Sequence, residues 1–313
     1  MSKFKSVWER FGTFVVLILI LLGLSIAEPK YFLTVDNFKQ IGLQSTVYLL
    51  LAYGEFFAIL LGGIDLSVGA IAGLSGMLTA MMLTAGVPVP VALLIGLLLA
   101  ALMGAMNGYL INLMGLHPFV ITLGTQSIYA GITLVISKGQ PVFDLPSSFK
   151  KIAGFVRGFP IPVIIVAIVA AMLVFFTKRT VLGRNLYALG GNKQSAWYSG
   201  INVNVHTLIA HTLAGFMAGI AGMVMTARVG AADPMAGNGY ETFAIAACII
   251  GGTSMFGGKG KIIGIIAGGL IIGTINNGLN ILNVPTFWQQ VVMGSLIILS
   301  VALDRFVGTK VNK

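Results

Sequence analysis

The sequence predicts an all-α, polytopic membrane protein, and three observations carry that prediction. The 313 residues are 57% hydrophobic and only 9% charged, with a mean hydropathy of +0.96. Long charge-free runs recur along the chain, and a helix needs about 20 apolar residues to cross a ~30 Å hydrocarbon layer. The 41 glycines show no Gly-X-Y period; they suit helices packed closely through small residues, as membrane bundles require.

Runs and punctuation together define ten expected spans: Phe11–Ala27, Ile41–Gly63, Leu66–Ala85, Val91–Met114, Phe119–Ile136, Ile161–Thr177, Thr207–Ala227, Thr242–Met255, Ile262–Ile281 and Phe287–Val307. The first follows Lys3, Lys5 and Arg10. It is long for the apolar region of a cleaved signal peptide, so it is expected to be retained. Pro88, Pro90, Pro118, Pro160, Pro162 and Pro285 stand at or near span starts, where a helix tolerates proline best. The eighth run is short and holds Gly251-Gly252, which fits a broken or re-entrant segment.

Charge bias orients the chain. Both termini inside the cell put Lys3, Lys5, Arg10, Lys178, Arg179, Arg184, Lys193, Lys259, Lys261, Arg305, Lys310 and Lys313 in the cytoplasm, a majority of the 19 basic residues. That is the asymmetry the positive-inside rule selects. Glu241 and Asp233 then fall in an outer loop and Asp65 at an inner one. The formal charge of +10 is scattered over short loops without an aromatic-interleaved basic patch, so it fits topology and a lipid surface and gives no sign of a nucleic-acid partner. Gly104 to Gly108 (GAMNG) echoes Gly273 to Gly278 (GTINNG). The two lie on spans of opposite direction, as in an inverted repeat.

Cysteine arithmetic excludes an internal disulfide, since Cys248 is alone. His117, His206 and His211 have no metal-ligand spacing with a carboxylate on one helix, and His206 is expected at a loop edge. Structural or interfacial roles are therefore expected for all three.

Two features stand out from the apolar background. Gly62 to Ala70 read GGIDLSVGA. A carboxylate at a span centre costs roughly 2.5–3.5 kcal/mol on insertion scales, so Asp65 marks either a joint between spans or a place where the chain turns inward. The other is the polar stretch 178–206. Within it Asn192 is a good N-cap, residues 193–199 make about two turns and Gly200 is a good C′ residue. A short capped helix held off the membrane suits docking to a soluble partner. The bland alternative is a solvated connector.

The glycine string Gly251 to Gly260 (GGTSMFGGKG) fails the phosphate-loop pattern, because Lys259 is followed by glycine and the spacing before it is wrong. Polar residues inside spans are candidates for a path taken by a neutral, hydroxyl-rich solute: Glu55, Asn107, Asn112, Thr122, Gln126, Asn276, Asn277 and Asn280. Amides and hydroxyls can replace such a solute's water without demanding charge. Each, taken singly, could equally bond a neighbouring helix.

GGIDLSVGA, the LGR…YALGGN…SGINV loop, GYE…IIGGTSMFGGKG and the NNGLN at 276–280 together resemble the membrane permeases of bacterial ribose-type ABC sugar importers. The similarity covers the chain from about the second span to Asp304, and it implies that residues 1–313 form one permease domain with a cytoplasmic coupling loop at about 178–206. It implies ATP-driven import of a ribose-like pentose or a hexose across the bacterial inner membrane. The chain itself would hold no cofactor and catalyse nothing, with ATP and magnesium bound on a partner. Implied partners are two ATP-binding subunits, a periplasmic or lipid-anchored sugar-binding protein, and a second permease subunit, identical or not. Arg184, Asn192, Lys193, Ala196 and Gly200 would carry the coupling. Gly62, Gly63, Asp65, Ser67, Gly69, Glu241, Gly251 and Gly252 would shape the signature. Glu55 and Phe243 depart from the family pattern, as do Trp197 and Tyr198. Competing readings are a proton- or sodium-coupled carrier, for which Glu55 is the support, and an ABC permease for an amino acid or another small polar solute. An intramembrane enzyme would need paired carboxylates, a metal spacing or a nucleophile–base pair, none of which the sequence offers.

Overall fold

The computed structural model describes the backbone of residues 2–285 and of 288, 289, 291, 292, 294–296, 298 and 299, with side chains from residue 12 onward. The chain is helical almost throughout. In order come α1 (Ser2–Ala27), α2 (Pro29–Phe32), α3 (Val35–Leu60), α4 (Val68–Thr84), α5 (Val89–Met114), α6 (Pro118–Ser137) and α7 (Ser147–Lys150). After a two-residue-per-strand hairpin (Phe155–Val156 with Phe159–Pro160) follow α8 (Ile161–Arg179), α9 (Val181–Gly191), α10 (Lys193–Tyr198), α11 (Val203–Val229), α12 (Tyr240–Ile250) and α13 (Ile262–Ile281). Helices α3, α5, α6, α8, α11 and α13 are long and apolar enough to cross a membrane; Gly12–Ala27, α4 and α12 are apolar but shorter. The expected tenth span, Phe287–Val307, falls largely outside the described residues.

Helix ends follow local chemistry. Thr34, Thr180, Asn192 and Asn202 each accept a backbone N–H of the first turn they precede, the usual N-cap arrangement. Gly115 and Gly230 close α5 and α11 in the left-handed conformation.

Helix α3 is the axis of the bundle: 89% of its apolar window is buried, against 22% for α5. Leu94, Leu98, Leu102 and Leu113 of α5, Val135 of α6 and Met172 and Phe175 of α8 are exposed. On a membrane protein such apolar outer faces meet lipid.

The order long, short, long occurs twice, in α3–α4–α5 and in α11–α12–α13, and the second copy runs in the opposite sense. Arg228 at the end of α11 donates to the Leu43 carbonyl near the start of α3 (2.9 Å). Asn112 at the end of α5 donates to the Asn204 carbonyl at the start of α11 (2.8 Å). Asn277 near the end of α13 donates to Asn37 at the start of α3 (2.8 Å). Packing is crosswise: α5 lies on α11 and α13 lies on α3. Glycines set these contacts. A Cβ on Gly104 of α5 would stand 2.9 Å from the Gly215 Cα of α11, and one on Gly273 of α13 would collide with Ser45 of α3. Such close backbone approach is what small residues permit in a bundle.

Several sequence expectations need correction. Helix α11 starts at Val203, not Thr207, because Asn202 caps it; His206 therefore sits within the first turn and not at a loop edge. Stretch 178–206 is not one loop with one helix but α9, α10 and the start of α11, and Arg184 lies on α9. The segment expected as Leu66–Ala85 becomes helical only at Val68. Glu241 is not in an outer loop: it is buried in the first turn of α12.

Candidate functional site

Helix α3 ends at Leu60, where Gly62 adopts φ +80° and the Gly63 N–H returns to the Ala58 carbonyl. The chain then runs back alongside α3, since the Asp65 N–H is received by Glu55 Oε1 at 3.0 Å. Asp65 thus stands where the chain turns inward. An extended segment inside a bundle must find partners for its backbone groups. Here side chains supply them. Thr122 Oγ1 of α6 accepts the Leu66 N–H and lies 3.1 Å from the Ile64 carbonyl. The Ser67 N–H goes to Asp65 Oδ1 at 3.0 Å. Helix α4 then starts in the interior.

Asp65 is fully buried and fully engaged. Oδ1 accepts the Ser67 hydroxyl at 2.5 Å, and Oδ2 lies 2.7 Å from His211 Nδ1 of α11. An ionised carboxylate only accepts, so Nδ1 carries the proton in this pair. Asn107 Nδ2 of α5 donates to Ser67 Oγ at 2.7 Å, and the Tyr129 hydroxyl of α6 lies within 3.4 Å of Asn107 Oδ1. One network therefore ties α3, the signature segment, α5, α6 and α11 together. Removing a partner would leave the buried carboxylate short of a hydrogen bond, at about 1–3 kcal/mol or more.

The second half mirrors this. Residues 230–239 lead from α11 to α12, which starts at Tyr240 after the half-buried N-cap Gly239 at φ +80° and buries Glu241 in its first turn. Glu241 Oε1 accepts Gln126 Nε2 at 2.9 Å, while Oε2 has no partner among the described residues. The two half-helix starts meet here: a Cβ on Gly69 would run into the Gly237 carbonyl and the Glu241 carboxylate. Gly251 and Gly252 end α12, with Gly251 packed against Gly264 of α13 and Gly252 at φ +83°.

The expected polar seam divides into groups. Glu55, Thr122 and Asn107 belong to the Asp65 network, and Gln126 to Glu241. Asn276 is buried with neither amide atom bonded, Asn277 pairs with Asn37, and exposed Asn280 accepts from Gln289 at 2.8 Å. These three lie along α13 toward the start of α3. His211, expected from the sequence to be structural or interfacial, pairs with Asp65, a partner the sequence did not name. Its partner is 146 residues away, so helical spacing carried no signal. Among the described residues, no group of three or more His, Cys, Asp and Glu could hold a metal.

Next to the bundle, α9 is fastened to the end of α3. The Tyr187 hydroxyl donates to the Gly260 carbonyl (2.9 Å), Gly258 N donates to the Leu60 carbonyl (2.9 Å), and Gly190 packs against that same carbonyl. The glycine string 251–260 is thus a packing loop between α3 and α9. Asn192 Oδ1 accepts the Ser195 N–H (2.8 Å), Ala196 is buried, and Gly200 turns at φ +83°. Arg184, Lys193, Trp197 and Tyr198 point outward.

Two cavities flank the interior junction. One, of about 430 Å³, runs from exposed Lys193 and Asn204 to buried His211. The other, of about 330 Å³, lies against Ala70, Gly73, Gln126, Thr133, Met235 and Asn238.

Apolar spans, interior half-helices at a polar junction and a capped helix held out at one end define a multi-pass membrane permease. Residues 37–301 match the family model described as branched-chain amino acid transport system / permease component. The chain belongs to that family, the permease components of ABC-type importers, in which ATP is hydrolysed by a separate subunit. It is 56% identical over 307 residues to the D-allose transport system permease protein of Escherichia coli (strain K12), covering 97% of this chain and 94% of that one. It is 41% identical over 305 residues to the ribose import permease protein of Bacillus subtilis (strain 168), at 96% and 94% coverage. Against the galactose/methyl galactoside import permease protein of Haemophilus influenzae (strain ATCC 51907 / DSM 11121 / KW20 / Rd) it is 36% identical over 307 residues, at 92% and 91%. No solved structure matches the chain.

Proposed function

We propose that the chain forms the membrane path for ATP-driven import of a monosaccharide, with D-allose or a related aldose as the first candidate. The observation that carries this reading is full-length similarity to sugar permeases, 56% for the D-allose protein, together with the GGIDLSVGA segment built into the interior junction. The chain works with two ATP-binding subunits, a periplasmic or lipid-anchored sugar-binding protein and a second permease subunit, in the bacterial inner membrane. Both termini and α10 face the cytoplasm, and ATP and magnesium sit on the partner. Helix α10, capped at Asn192 and closed at Gly200, seats in a groove of the ATP-binding subunit. Closure of that subunit rocks the inverted halves about their junction, which is alternating access. Glu55, Asn107, Thr122, Gln126, Asn276, Asn277 and Asn280 are the polar groups near which the sugar crosses.

An amino-acid permease is the second reading, favoured by the family description. Purified complex in lipid vesicles, loaded with binding protein and ATP, separates them. Radiolabelled D-allose or D-ribose should accumulate, compete with other aldoses and not with leucine, and persist when a protonophore collapses the gradient. Leucine uptake without sugar uptake would replace the sugar reading. Gradient-driven, ATP-independent uptake would replace the ABC reading.

A further inference from the structure

The larger cavity ends on the same buried pair that holds the signature segment. Its walls come from the turn after α3 (Leu61, Gly62), the end of α5 and the turn after it (Asn112, Leu116), the first half of α11 (Asn204, Thr207, His211) and the α9–α10 junction (Leu189, Lys193). Its volume, about 430 Å³, lies in the range of small-molecule pockets. His211 is only 1% exposed. Its Nδ1 is held by Asp65, and the ring lines the cavity. With Nδ1 protonated toward Asp65, a neutral ring offers Nε2 as an acceptor to a hydroxyl.

We propose that this cavity is the last subsite a sugar occupies before release on the α10 side, and that His211, oriented by Asp65, is its innermost polar contact. The proposal rests on the monosaccharide reading above and adds a place and a residue to it. The lining chemistry selects a neutral polyol over an anion. Any charge on His211 is matched by Asp65, and Lys193 stands exposed at the rim. Along the walls, Asn112 and Thr207 present an amide and a hydroxyl, while Leu61 and Ile111 offer apolar surface for a sugar's C–H face. Amphipathic walls of this kind are what a pyranose or furanose ring needs. Lys193 starts α10, the element assigned to the ATP-binding subunit, and Leu189 lies just before it on α9, so movement of α9–α10 reshapes the subsite directly. That gives hydrolysis a mechanical route to sugar release.

The test uses the whole importer in inside-out vesicles, with Leu116→Cys as a reporter in a Cys248→Ala background. Leu116 lines the cavity and is 43% exposed. Saturating D-allose should slow N-ethylmaleimide labelling of that cysteine several-fold. His211→Gln should raise the half-protecting concentration about tenfold, as expected for one lost hydrogen bond to a polar ring. Asn112→Leu, on the outer wall and away from Asp65, should raise it as well, which keeps the test alive should His211→Gln fail to assemble. If the importer transports sugar out of the lumen yet labelling is indifferent to it, the subsite is overturned while the function stands. If sugar protects equally with His211→Gln and Asn112→Leu, the assigned contacts are overturned. If no sugar is imported or protects, the monosaccharide reading falls and the subsite with it.

Discussion

Glu55 offers the sharpest separation between a coupling carboxylate and a structural one. It is fully buried near the C-terminal end of α3, Oε1 receives the Asp65 N–H at 3.0 Å, and Oε2 has no partner among the described residues. No basic side chain faces it in the salt bridges described. Its visible task is to satisfy one backbone donor of an extended segment that cannot satisfy itself. Glu55→Gln keeps an oxygen at that position and removes the ionisable proton. It should keep most ATP-driven uptake and leave thermal stability in detergent near wild type. Glu55→Leu removes the acceptor and strands a buried N–H, at a cost of about 1–3 kcal/mol. At about 2 kcal/mol the population with a detached signature segment rises roughly 30-fold. The melting midpoint should therefore fall, and uptake should fall with it. The assay is uptake beside binding-protein-stimulated ATPase, with the melting curve on the same preparations. Equal stability of the Gln and Leu variants would refute the structural argument. Loss of transport in Glu55→Gln, with normal assembly and ATPase, would show that the proton itself is needed.

The remaining predictions concern packing, coupling and topology. Gly69→Ala pushes a methyl into the Gly237 carbonyl and the Glu241 carboxylate; it should lower the melting midpoint and abolish uptake, whereas Gly124→Ala, which meets nothing within 4 Å, should do neither. Asn192→Ala removes the cap of α10 at about 0.5–2 kcal/mol of local helix stability. It should weaken co-purification with the ATP-binding subunit, and Ala196→Pro or Arg184→Glu should uncouple hydrolysis from uptake with the permease still inserted. Single cysteines at Lys193 and Lys150, both exposed, should react with an impermeant thiol reagent from opposite sides of the membrane.

Helix-forming runs were legible because lipid exposure demands long apolar segments; α13 was expected at Ile262–Ile281 and begins and ends there. The capped α10 was legible because capping is local chemistry carried by Asn192 and Gly200. Less visible was the inward turn. Residues 64–67 are apolar and polar in alternation, and nothing within that string says that Glu55 and Thr122 will serve as its hydrogen-bond partners. The same distance hid His211, whose role depends on a residue from another helix pair. Glu241 was misplaced for a related reason: an acidic residue after a glycine-rich stretch looks like a loop, and only the packing of Gly69 against Gly237 explains why it is interior.

Crosswise packing has a consequence for how the chain can be made. The glycine face of α5 is covered by α11, and the face of α3 that Gly269 and Gly273 approach is covered by α13. When α3, α4 and α5 first enter the bilayer, neither covering helix has yet been synthesised. The early half must then wait among lipids with its closest contact surfaces and the Asp65 carboxylate unmatched, until α11 delivers His211. Assembly is therefore gated by the late half. Truncations that end before α11 should leave a product that membrane quality-control proteases remove.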